Sequence, residues 1–405
     1  MKKEDEIMLE EMMETVREAA SVLPGMSAEQ KTVLRRDIAD SVTAINRRLF
    51  GYDSILVTEK GFPGAAEDAD MTEEQITEWC DVASKAMQRR KQCNNRMDER
   101  FYQIMDCAEL VSGGVLLRDC KSRFHQMNDR DRMIMSLFYQ KFHYFWGTLD
   151  PQAGNYETME LKIGALKEHR EDFLWLYGVL EDYRSKHVLI RFLEYWLTFD
   201  IDHVREMKEN SFDDYFDLDL IPAGKEEVLV DLGGFDGDTI LDFVKNYGNY
   251  KKIYSFELSP ENVKKIKDNT EGMHDIVVIN KAAGSVNGTL SVPVGEDVSN
   301  TNSIIHHEAS GGPVRDVAMV TVDDEIGEKV TMIKMDIEGA EKDALKGCER
   351  HIRQEHPKLL ICVYHNHEDI WKIPRMIREM DESYRFYLRS NGNQWGPSEI
   401  VLYAL

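Results

Sequence analysis

From Glu227 to Leu405, short β-branched runs alternate with helix-length stretches, and this alternation constrains the chain more than any other feature. Strands that take turns with helices are joined by crossovers, so they lie parallel in one sheet with helices packed on its faces. The expected strands are 228–231, 252–257, 276–280, 331–336, 358–364, 384–389 and 400–405. No helix-length segment separates the last two, which should form an antiparallel hairpin. Between the third and fourth, 289–294 and 317–322 read as an inserted or peripheral β element. The expected fold class is therefore α/β, a mostly parallel sheet ending in an antiparallel hairpin.

Ahead of Ile221-Pro222 the period is helical. Ser27 and Gln30 stand in the capping-box relation, and Leu34, Ile38, Val42, Ile45 and Leu49 follow at helical spacing. Thr72 opens a further helix, with Ile76, Trp79, Ala83, Met87, Met97, Phe101 and Ile104 mostly on one side. Residues 51–70 read as a connecting loop rich in turn formers. Asn128 is expected to cap a helix reaching Phe145, and another helical pair spans about 156–208. This divides the chain into an all-α domain, 1–170, a helical lead-in, 171–221, and an α/β domain, 222–405. The many Met and aromatic residues of the first part read as core. That domain is a candidate to cover the second half, to bind a partner or to form a homo-oligomer.

A formal net charge of −24 argues against a nucleic-acid substrate, since neutralising phosphates takes clustered Lys and Arg. Acidic residues follow Lys2-Lys3 at once, with no apolar run of a signal peptide, and no stretch is apolar enough for a bilayer. The six cysteines include no Cys-x-x-Cys pair, which predicts reduced thiols and a cytoplasmic location.

The chemistry concentrates at strand ends. The first strand runs Val228-Leu-Val-Asp231-Leu-Gly233-Gly234-Phe235-Asp-Gly237-Asp238-Thr239: apolar strand, acid, glycines, helix start. Glycines let the backbone approach a ligand where a Cβ would collide. Nicotinamide and flavin domains use such a turn too. Here, however, Asp231 suits a ligand bearing ammonium and sulfonium charges, whereas Asp236 and Asp238 would repel a pyrophosphate. The second strand ends in Phe256-Glu257-Leu258, placing an acid where it can accept hydrogen bonds from two ribose hydroxyls; the alternative is a capping or surface glutamate. After the third strand, the small Ala282 leaves room for an adenine ring, with Asn280 in reach of its edge. The fourth ends in Asp336-Ile-Glu338-Gly339-Ala-Glu341. Its carboxylates can hold an amino group, stabilise positive charge or take a proton, and Glu341 suits the next helix's first turn. The fifth ends in Tyr364-His365-Asn366-His367, where His365 is a candidate general base. His306-His307-Glu308 reads as a solvated loop. Asp336, Glu338, His365 and His367 have no metal-site spacing, and no metal is expected.

These stretches, in order, resemble the FkbM family of S-adenosylmethionine-dependent methyltransferases: Val230-Asp231-Leu-Gly233 with Gly237, Phe256-Glu257 with Pro260-Glu-Asn262, and Ile333-Lys334-Met-Asp336-Ile-Glu338-Gly339-Ala-Glu341. The resemblance covers roughly 173–405. It implies a class I, Rossmann-like domain that O-methylates a hydroxyl of a sugar, polysaccharide precursor or other small metabolite. The cofactor would be S-adenosyl-L-methionine, held by Asp231, Gly233, Gly234, Phe235, Gly237, Asp238, Thr239, Glu257, Leu258, Ala282 and Asp336. His365, Asp336 and Glu338 are the candidates for catalysis. Gly234 stands where alanine is usual, and Cys362-Val-Tyr-His365 where many members carry an acid, which leaves the base open. A nicotinamide-dependent oxidoreductase and a non-catalytic scaffold are the rival readings.

Overall fold

The computed structural model describes residues 3–50, 72–209, 211–212, 214–293, 314–392 and 396–405, so the expected loop 51–70 and His306-His307-Glu308 lie outside the described residues. The chain divides into two compact units.

The first unit holds Met1–Ile134, Asp150–Leu174 and Ile190–His203 and is helical. The capping box forms: Ser27 N donates to Gln30 Oε1 at 3.1 Å and Gln30 N to Ser27 Oγ at 3.4 Å. The helix it opens, Ala28–Phe50, buries Ile38, Val42, Ile45 and Leu49, with Leu34 half-buried. The expected continuous helix through Ile76 and Ile104 is two helices, Glu73–Lys91 and Arg96–Leu110. Asn95 interrupts it: its side chain accepts from Met97 N and Asp98 N, and an Asn that can cap starts a new helix more readily than it continues an old one. Asn128 does cap, but its helix is Asp129–Lys141, and a separate short helix, His143–Trp146, follows.

The second unit holds Met135–Leu149, Trp175–Leu189 and Val204–Leu405. Its strands are β1 (Val228–Leu232), β2 (Lys252–Phe256), β3 (Ile276–Ile279), β4 (Ala282–Ala283), β5 (Gly288–Pro293), β6 (Val314–Val320), β7 (Met332–Met335), β8 (Lys358–Cys362), β9 (Phe386–Ser390) and β10 (Ile400–Ala404). Seven form one sheet in the order β3-β2-β1-β7-β8-β10-β9; the first five of these are parallel, and β10 is antiparallel to both β8 and β9. The inserted β element is a separate sheet, β4-β6-β5. All residues of β1 and β7 are buried, as strands covered on both faces must be. Strand order reverses at β1, with β2 and β3 on one side and β7 and β8 on the other. The crevice beyond the carboxyl ends of such strands is where open α/β sheets take ligands.

This unit reaches further upstream than the boundaries at 170 and 221 expected from periodicity. Trp146 Nε1 donates to Tyr364 O at 2.7 Å. In β9, buried Arg389 is held by Asp182 at 2.7 Å, Ser185 Oγ at 3.0 Å and Asp217 at 2.6 Å. Helical periodicity finds helices but cannot tell which core they serve; these buried polar partners do. All six cysteines are free thiols, five of them buried. No helix among the described residues is long and apolar enough to cross a membrane.

Candidate functional site

Three neighbouring strands each place one polar residue at the same level: Lys334 of β7 is in register with Asp231 of β1, and Asp231 with Ser255 of β2. Side chains in register on adjacent strands share a face, so the three meet. Lys334 Nζ stands 3.2 Å from Asp231 Oδ1, and Ser255 Oγ donates to Asp231 Oδ2 at 3.0 Å. Burial raises the Asp231 carboxyl against the pull of Lys334 and Ser255, while Asp231 and Asp336 outweigh burial to hold Lys334 firmly charged. Lys334 Nζ also donates to Gly233 O at 2.8 Å and lies 5.1 Å from the centroid of the Tyr215 ring.

The row corrects one expectation. Asp231 is fully buried and is not on the wall of the cleft; its charge is taken by Lys334, and it supports the glycine turn from beneath. Gly234 and Gly237 also lie behind the wall. Gly233 is on it, at φ +87°, and a Cβ there would stand 1.8 Å from the Asp336 carbonyl oxygen, so no other residue fits between β1 and β7.

The cleft, of about 220 Å³, opens at the carboxyl ends of β1, β2 and β7. Of the expected residues, Gly233, Phe235, Asp238, Thr239, Glu257, Leu258, Ala282, Asp336 and Glu338 line it, joined by Tyr215, Asn262, Lys281 and Lys334, which sequence reasoning did not propose. Glu257 is 7% exposed. Its Oε2 accepts from Phe235 N at 3.0 Å and its Oε1 from Ser259 N at 2.7 Å. Burial raises its carboxyl, and those two N–H groups oppose the shift. Each oxygen keeps a further lone pair for a ligand. The Asn280 amide nitrogen donates to the carbonyls of Glu257 and Leu258 at 2.8 and 3.1 Å, which leaves its oxygen as the atom that could meet an adenine edge.

Beyond β7 the chain turns through Glu338 at φ +55° and Gly339 at φ +95°. A left-handed glutamate is disfavoured, and its neighbours hold it there. Glu341 reaches back, Oε1 accepting from Ile337 N at 3.0 Å and Gly339 N at 3.4 Å. Glu341 begins its helix as expected, but it is 1% exposed and organises the turn as well as facing the helix dipole. This is the physical sense of the Asp-x-Glu-Gly-x-Glu run. Tyr215 hydroxyl donates to Asp336 Oδ2 at 2.7 Å.

His365 sits behind this turn, 1% exposed. Its Nδ1 is 3.0 Å from Glu341 Oε1; its Nε2 is 3.5 Å from Asp336 Oδ1 and 3.6 Å from Glu338 Oε2. Burial lowers its basicity, but Glu341, then Glu338 and Asp336, push it up to about 10. A histidine so placed is an imidazolium at neutral pH, and this geometry counts against His365 as the proton acceptor. Burial raises the Asp336 carboxyl, yet His365, Lys334 and Tyr215 together hold it below the usual range. Glu338 is pushed up to about 7, chiefly by burial and then by Asp336 and Glu341, against His365. Its side chain, 28% exposed, makes it the carboxylate poised to take a proton near neutral pH. Among the described residues, two sets of donor atoms are close enough to share an ion: Asp336 with Glu341 and His365, and Asp336 with Cys362 and Glu399.

Residues 231–394 match the family model described as "Methyltransferase FkbM domain". A solved FkbM methyltransferase from Methylobacillus flagellatus is 23% identical, with a TM-score of 0.52, covering 62% of this chain and 63% of that one, under two thirds of its length. An rRNA methylase from Streptococcus thermophilus is 14% identical over 51% of this chain and 93% of its own, with a TM-score of 0.29. Fibrillarin from Aeropyrum pernix, solved with natively bound S-adenosyl-L-methionine, is 13% identical over 45% of this chain and 66% of its own, with a TM-score of 0.28. No curated protein matches the chain. The strand order β3-β2-β1-β7-β8-β10-β9 is that of a class I methyltransferase.

Proposed function

With residues 231–394 forming a methyltransferase domain of the FkbM family, we propose that the protein uses S-adenosyl-L-methionine to methylate a hydroxyl of a small-molecule or glycan acceptor, such as a sugar or polysaccharide precursor. The observation that carries this reading is Glu257. It is a buried carboxylate at the end of β2, fixed by two backbone N–H groups on the wall of a cleft beside a glycine turn. That is an arrangement for a ribose diol. Asp236 and Asp238 in the turn disfavour the pyrophosphate that a nicotinamide dinucleotide would bring.

S-adenosyl-L-methionine supplies a methyl group already activated on a sulfonium. What falls to the protein is alignment, shelter from water and a place for the acceptor's proton. Glu257 would accept from the ribose hydroxyls, and Gly233, without a Cβ, would leave room for the adenosyl end beside it. Asp336, kept ionised by His365, Lys334 and Tyr215, would meet the positive end. Glu338 would take the proton of the acceptor hydroxyl when the methyl group passes to its oxygen.

The test is a thermal-shift titration of the full chain with S-adenosylhomocysteine and with NAD. Stabilisation by S-adenosylhomocysteine is expected; stabilisation by NAD alone would overturn the reading. A labelled methyl donor offered with a library of hydroxylated acceptors then separates an enzyme from a scaffold, because a scaffold binds the cofactor and labels nothing.

A further inference from the structure

We propose that Arg389 of β9 is a positioning residue for the cofactor, acting through a strap, Tyr215-Phe216-Asp217, that it anchors beside the cleft. The three consecutive side chains of this strap reach three different parts of the second unit. The Tyr215 hydroxyl donates to Asp336 Oδ2 at 2.7 Å, just past β7, and lies 3.5 Å from Cys362 Sγ at the end of β8. Phe216 is buried edge-on against Phe243 and Tyr247, ring centroids 5.6 and 5.7 Å away, on the helix Asp238–Tyr247 that starts from the glycine turn. Asp217, 3% exposed, accepts from Arg389 Nε at 2.6 Å. Arg389 is the last residue but one of β9, which runs in the same direction as β8, so the strap passes over the carboxyl ends of the strands.

Such a path needs an unusual backbone. Tyr215 is left-handed at φ +66°, a conformation that a residue with a Cβ keeps only when its surroundings hold it there. On one side it is held by Asp336 and by Lys334, whose Nζ lies 5.1 Å from the ring centroid. On the other side Asp217 is fixed twice. Arg389 takes its carboxylate, with Arg184 Nη1 3.2 Å from the same oxygen, and its carbonyl accepts from Leu220 N at 3.0 Å and Ile221 N at 2.8 Å. Arg389 is itself locked away from the strap, by Asp182 at 2.7 Å and Ser185 Oγ at 3.0 Å. Tyr215 lines the cleft and Arg389 does not, so Arg389 reaches a ligand only through Asp217 and Tyr215. A donor bonded to one oxygen sets the rotation of a carboxylate, and the strap therefore decides how Asp336 meets the positive end of the cofactor. This role rests on the methyl-transfer reading above.

The test is calorimetry on the full chain with two ligands that share the adenosyl end: S-adenosyl-L-methionine, with a sulfonium and an ammonium, and 5′-methylthioadenosine, with neither. Tyr215→Phe is expected to weaken S-adenosyl-L-methionine about tenfold and to spare 5′-methylthioadenosine. Asp217→Asn should weaken S-adenosyl-L-methionine selectively too, at least about threefold, and the double variant should lose little more than Tyr215→Phe alone. Asp182→Asn removes a partner of Arg389 that is not on the strap; it should lower Tm and leave the ratio of the two affinities within about twofold. Thermal melts show which variants are folded, and if Asp217→Asn is not, Arg389→Lys, which keeps the charge and loses the fork, is read in its place. Three results would overturn the strap: an unchanged ratio in the folded clamp variant, equal loss of both ligands, or losses that add in the double variant. A wild-type chain that binds neither ligand would sink the methyl-transfer reading and the strap with it. Tight S-adenosyl-L-methionine without the coupling would sink the strap alone.

Discussion

Glu338 combines a strained backbone with a carboxyl pushed up to about 7, and its chemistry makes a directional prediction. A base must be ionised to accept a proton, so turnover should rise as pH passes upward through about 7. Glu338→Gln should remove that rise and lower kcat, while the affinity for S-adenosylhomocysteine stays within about twofold; a pH–rate profile of both proteins checks it. Glu257→Ala should weaken S-adenosylhomocysteine by roughly 1.5–3 kcal/mol, the range for a hydrogen bond to a charged group, measured by calorimetry. Residues at this scale were legible where chemistry coincides with a strand end, as with Glu257, Asp336 and Glu338. Asp231 was misjudged because its neighbours on the adjacent strands, Lys334 and Ser255, are 103 and 24 residues away in sequence and only sheet register brings them together. Tyr215 lies 121 residues before Asp336, and nothing local in the sequence tells of the bond its hydroxyl makes there.

Among the elements, the strands were read nearly as they stand, because a buried parallel strand is a short apolar run bounded by turns, and that is visible locally. The two-residue strand β4 was not, since two residues carry no period. The break between Glu73–Lys91 and Arg96–Leu110 was hidden by apolar residues that kept one face across it; the Asn95 cap was the signal to read. The helix His143–Trp146 is too short to nucleate by itself and persists through contacts such as that of the Trp146 indole with Tyr364 O. Trp146→Phe keeps the apolar bulk and strands a buried carbonyl. It should cost about 1–3 kcal/mol, seen as a lower Tm in a thermal melt. The same substitution loosens the segment next to His365, so turnover should fall more than cofactor affinity.

For the molecule as a whole, the second unit is gathered from three stretches of chain, 135–149, 175–189 and 204–405. A chain begun at residue 222, the boundary that periodicity suggests, would lack Trp146, Asp182, Ser185, Tyr215 and Asp217. Arg389 would then be buried without its carboxylates, and loss of a partner from a buried pair costs about 3–5 kcal/mol. Such a chain is expected to be insoluble or to melt far below one begun at residue 135; circular dichroism against temperature checks it. The stitching also sets an order of events in the cell. Trp146 leaves the ribosome 218 residues before the carbonyl it serves, and Asp182 precedes Arg389 by 207. Loops of that length close slowly. The upstream helices must therefore wait, with apolar faces uncovered, until β8 and β9 have been made. A ribosome that stalls before β8, or a protease that cuts between β8 and β9, would strand segments that had seemed long finished.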